Sequence, residues 1–151
     1  MLANPKTNPK TDWKMMAINS HFQTAEAAQT LLQQGQTEEA KAALNALVEA
    51  MSRSERQALK SQLIRLMMHI IKWKTQPNKR SWSWIVSILD ARDAIEESQE
   101  EMPSLNREFI ESLWDQAFIK AKRKAKAEMN CKSDILGLTW AEVFEDEYVG
   151  S

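Results

Sequence analysis

The segment Ser52–Trp84, SRSERQALKSQLIRLMMHIIKWKTQPNKRSWSW, decides the fold class. Leu59, Leu63, Leu66, Ile70 and Trp73 recur every three or four residues, the repeat that lines one face of an α-helix. Ile64, Met67 and Ile71 widen that stripe, and a helix apolar on more than one side belongs at the centre of a bundle. Pro77 lacks an amide hydrogen and pushes the preceding residue out of α geometry, so the helix stops before it. Ser52 followed by Glu55 has the spacing of a capping box. A long central helix over about residues 53–75 is therefore predicted.

Working upstream, Ala40, Ala43, Leu44, Leu47, Val48 and Met51 form an amphipathic stripe on a helix opening at Thr37, with Glu38 and Glu39 in its first turn. Gly35 suits the left-handed stop of the helix before it, which runs from about His21 to Gln34 behind a Ser20–Gln23 box. Residues 1–20 read as a flexible N-terminal arm in which Trp13–Ile18 can start a helix. Downstream, Trp84, Ile88, Ala91 and Ile95 mark a helix over about 81–101. Pro103 breaks the chain and Ser104 is the expected cap of a further helix to about Met129, carrying Ile110, Trp114, Ala117, Ala121 and Ala125. Asn130 is placed to end that helix, and a Thr139–Glu142 box opens a short C-terminal one. The predicted fold is all-α, a single-domain bundle of about five helices over residues 21–148.

Composition agrees. Three glycines among 151 residues argue against glycine-rich phosphate loops and tight hairpins. Net charge is −1, so bulk electrostatics favours no anionic partner. The charge is nevertheless segregated. Residues 53–80 hold eight bases and one acid, 85–101 six acids and one base, and 120–126 five bases. A single cysteine, Cys131, fits a reducing compartment. The longest apolar run, Leu63–Ile71, contains Arg65 and His69 and is far shorter than a membrane span. The expectation is a cytoplasmic protein with no membrane association.

Chemistry is sparse. Glu-x-x-His pairs are missing: Leu66 stands three residues before His69, and Ile18 before His21. No metal ligands, cofactor site or catalytic residues are assigned. The basic, Trp-rich connection is the one candidate contact surface: His69, Lys72, Gln76, Arg80, Trp82 and Ser83. Lysines neutralise phosphates and indoles stack on bases, so residues 72–84, helped by Lys120–Lys126, could hold single-stranded nucleic acid. The competing reading makes Trp73 and Trp84 core anchors at two helix ends. Trp82, two residues from Trp84, cannot share its face and is expected to be exposed.

Arg53, Ser54, Glu55, His69, Lys72, Trp73, Gln76, Pro77, Arg80, Ser81, Ser83 and Trp84 together resemble the signature of the domain-of-unknown-function family 29, abundant in cyanobacteria. The similarity extends from LLQQGQ at 31–36 to LTWAEVFEDEY near the C-terminus. It implies an all-helical domain with no assigned reaction, substrate or cofactor. The chain departs from the family where adjacent glutamates are usual, carrying Ala46 and Leu47 with Glu49 kept, and carries Thr24 where an aromatic is usual. The leading functional expectation is a binding module without catalysis, acting on a protein partner or by self-association. Nucleic-acid binding through 72–84 is the alternative, and an enzyme using His69 the second alternative.

Overall fold

A computed structural model describes residues 11–150. Five α-helices dominate it: α1 (Trp13–Asn19), α2 (His21–Gln33), α3 (Thr37–Thr75), α4 (Trp82–Glu101) and α5 (Arg107–Met129). A 3-10 turn, Pro77–Lys79, links α3 to α4, and a π-helical turn, Ala141–Glu145, lies near the C-terminus. No strand occurs among the described residues. The first ten positions of the expected arm lie outside the described residues; Trp13–Asn19 is helical, capped by the Asp12 carboxylate on the Met15 amide.

The local signals act as expected at several ends. Ser20 caps α2 through the Gln23 amide. Gly35 takes φ 77°, with Gln36 N–H on Leu31 O and Gly35 N–H on Leu32 O, the paired bonds of a Schellman stop. Asn130 ends α5 at φ 54°. Thr139 and Glu142 cap each other reciprocally, at 2.9 and 3.1 Å.

Two boundaries differ. The helix expected to begin at Ser52 does not begin there: α3 is continuous over 39 residues from Thr37. No glycine or proline interrupts residues 37–75, and serine inside a helix costs well under about 1 kcal/mol relative to alanine, so carrying the backbone ladder through Ser52 outweighs a local cap. The chain does divide there in another sense, because its two compact units separate between Ser54 and Glu55. The cap expected at Ser104 is supplied by Asn106, whose side chain accepts the Phe109 amide at 2.9 Å. Leu105, expected inside that helix, is instead buried ahead of it.

The unit up to Ser54 has an alanine-rich interior: Ala17, Ala28, Ala40 and Ala43 are buried with Thr24 and Leu47. Leu44, Val48 and Met51, read from periodicity as stripe residues, are exposed, as are Phe22 and Leu32 of α2. The unit from Glu55 has a conventional core. Leu59, Leu63, Leu66, Met67 and Ile70 of α3 join Ile88, Ala91 and Ile95 of α4. From α5 come Ile110 and the fully buried ladder Ala117, Ala121 and Ala125. Small residues four apart on α5 leave room for the bulky α3 side chains in the same cluster, large against small.

Candidate functional site

Nine of the twelve signature residues, His69 to Trp84, lie at the C-terminal end of α3 and in the turn into α4, whereas Arg53, Ser54 and Glu55 sit near the middle of α3. Gln76 N–H still reaches Lys72 O at 2.9 Å, but the next donor in the ladder would be residue 77, a proline. Trp73 O is thereby left without its helical partner. Arg80 supplies one, donating Nε–H to Trp73 O at 2.9 Å while its guanidinium lies 4.6 Å from the centre of the Trp73 ring. Ser81 then caps α4 by accepting the Trp84 amide, and its hydroxyl contacts Ser83 at 2.9 Å.

The same helix end is tied to the chain leaving α5. Lys72, only 8 % exposed, places its ammonium 2.8 Å from Glu128 and 4.8 Å from the Trp84 ring centre. Thr75 bonds Ser133 at 2.8 Å, and Gln76 donates to Cys131 Sγ at 3.7 Å. The closing segment is clamped as well. Lys74 pairs with Glu142, Trp73 meets Tyr148 edge-on at 5.7 Å, and Arg92 donates to Val143 O at 2.8 Å. Burial pushes the Tyr148 phenol up to about 12, so it stays protonated and donates to Glu142 O at 2.6 Å.

His69 Nδ1 lies 2.9 Å from Arg65 O. A carbonyl can only accept, so Nδ1 carries the hydrogen and the ring is held to its own helix. Burial holds its pKa below the usual 6.5, opposed by the bond to Arg65 O, with the charges of Lys72 and Arg65 adding to the lowering. The ring is therefore neutral at pH 7.

The six candidate residues do not gather into one site. Arg80 and Trp82 line a cleft of about 310 Å³ with Val149 and Gly150; His69, Lys72, Gln76 and Ser83 are not among its walls. Trp82 is 74 % exposed, as its register predicts, and a Cβ placed on Gly150 would meet its ring at 3.4 Å. Three of the cations expected to face nucleic acid are engaged internally: Lys72 with Glu128, Lys74 with Glu142, Arg80 with Trp73. Among the described residues no group of three or more His, Cys, Asp or Glu could hold a metal ion. None of the helices is long and apolar enough to cross a membrane among the described residues.

A second surface carries more. An open cleft of about 720 Å³ runs along α5 and the segment after it. Phe118, Ile119 and Leu136 supply its apolar lining, with Ile119 64 % and Leu136 90 % exposed. Lys122, Arg123, Lys126 and Lys132 line it too, and Asp115 is the one acid among the lining residues. None of these four cations makes an ion pair among the described residues. The sequence signal was the run of five bases at 120–126. Ile119 and Leu136 escaped notice because Ile119 is off the α5 core stripe and Leu136 lies in a loop.

A family model described as Domain of unknown function DUF29 matches residues 21–148, which span parts of both compact units and the whole Ser52–Trp84 signature. No curated protein and no solved structure matches the chain. The chain belongs to the family Domain of unknown function DUF29.

Proposed function

We propose that this chain is a cytoplasmic protein-binding module that acts without catalysis. The observation that carries the reading is the α5 cleft, where large aliphatic side chains stand in solvent beside unpaired cations. Exposed apolar groups in one place gain from being covered by a partner, by about 25 cal/mol per Å² removed from water. The engagement of Lys72, Gln76 and Arg80 in helix-end and interhelix bonds also supports it, because those contacts give the signature an architectural use. His69 lines neither of the two clefts described above, which supports binding over an enzyme using that residue. The exposed free thiol of Cys131 fits a reducing cytoplasm.

The test is photo-crosslinking in cells. A photoreactive residue replaces Leu136 in the cleft, and in a second chain it replaces Glu97 on the exposed part of α4. A discrete protein adduct from position 136 alone is expected. Adducts with nucleic acid, or none above the position 97 background, would refute protein binding at this surface.

A further inference from the structure

We infer that the α5 cleft receives an acidic amphipathic helix of a partner protein, an inference that rests on the protein-binding reading above and names its chemistry. Charge complementarity carries it. Lys122, Arg123, Lys126 and Lys132 meet one lining acid, Asp115, and find no ion-pair partner among the described residues. The crowding extends beside the cleft. Lys120 is pushed below the usual lysine pKa, first by the charge of Lys60, with Arg123 and Lys124 adding to it. Carboxylates brought from outside are what relieve such like-charge packing.

The floor specifies the rest. Ile119 and Leu136 offer branched aliphatic surface, which accepts Leu or Phe side chains spaced three and four apart on one face of a helix. Unpaired nucleotides instead need aromatic rings to stack on, and the one ring in this lining, Phe118, is partly buried against the core. From Asp115 to Lys126 the α5 axis extends roughly 16 Å, so a partner segment of about three turns covers it. Its apolar face seats on Ile119 and Leu136, and its acids flank that face to meet the lysines and Arg123.

The test titrates the full chain with a synthetic peptide of about 18 residues, with leucines in an i, i+3, i+4, i+7 pattern, glutamates only at the positions flanking that face and alanine elsewhere to keep it helical. The counterpart with lysine for every glutamate, phosphatidylglycerol vesicles and an oligothymidylate serve as the other probes. Saturable binding of the glutamate peptide is expected, weakening several-fold between about 50 and 200 mM salt. Lys122→Glu combined with Lys126→Glu should weaken it at least tenfold, leave the thermal melt of the chain in place, and switch preference to the lysine peptide. Leu136→Asp should weaken it by a similar factor. Equal binding of both peptides, tighter binding of vesicles or oligonucleotide, or no binding of the glutamate peptide each overturns the inference. A protein adduct at position 136 alongside no glutamate-peptide binding overturns the acidic-helix chemistry alone. The loss of that adduct overturns protein binding itself.

Discussion

Arg80→Ala is expected to destabilise the protein by about 2 kcal/mol, and most of that cost should disappear when Pro77 is also replaced by alanine. Trp73 O is the carbonyl that residue 77 would satisfy in an uninterrupted helix, and proline has no hydrogen to give it. Arg80 takes over at 2.9 Å. A hydrogen bond from a charged donor is worth about 1.5–3 kcal/mol, and the exposure of Arg80 sets this one near the lower end. The guanidinium–indole contact at 4.6 Å adds about 0.5–1 kcal/mol, the figure for an exposed pair. In the Pro77→Ala background the new amide can donate to Trp73 O as α3 lengthens, leaving Arg80 mainly its contact with the ring. The coupling energy of the double-mutant cycle should then be about 1–1.5 kcal/mol. Pro77→Ala alone should cost a further 0.4–1 kcal/mol, roughly, by loosening the unfolded chain. Urea unfolding at fixed pH, followed by tryptophan fluorescence, gives all four corners, with midpoint melting shifts of about 2–4 °C per kcal/mol as a second readout. Arg80→Ala costing the same with either residue at 77, within about 0.3 kcal/mol, would refute the idea that arginine replaces the missing amide.

His69 yields a pH dependence. Its folded pKa lies below the unfolded value of 6.5, so the unfolded chain binds more protons in that window and stability should drop as pH falls through it. His69→Gln should flatten that slope, as melts between about pH 7 and 5 would reveal. Glu128→Ala leaves the ammonium of Lys72 buried without its carboxylate and should cost more than Lys72→Met, which removes the charge and keeps the packing stem; chemical denaturation of the two single variants checks the order. Ala121→Leu inserts bulk at a fully buried position of the α5 ladder and should cost about 1–3 kcal/mol in urea unfolding, while Val48→Ser, at an exposed position of α3, should stay within about 0.5 kcal/mol.

What was legible in the sequence is what helices encode locally. The α3 stripe from Leu59 to Trp73, the stops at Gly35, Pro77 and Asn130, and the caps at Ser20 and Thr139 all depend on residues within a few positions of one another. Ser52 shows the limit of that logic: a cap and an ordinary helical serine read alike, and the backbone ladder decided between them. The register of Trp82 announced its exposure for the same local reason.

Tertiary structure decided everything that pairs distant positions. Lys72 finds Glu128 and Thr75 finds Ser133 across separations of 56 and 58 residues, which turns a basic stretch resembling a phosphate-binding surface into stitching between α3 and the end of α5. The α5 cleft exists because Ile119, on the side of the helix away from its alanine ladder, comes to share a surface with Leu136 of the following loop. Periodicity shows which side of a helix is apolar; it holds no record of which side chains the neighbouring elements leave uncovered, or of which charges they leave without a partner.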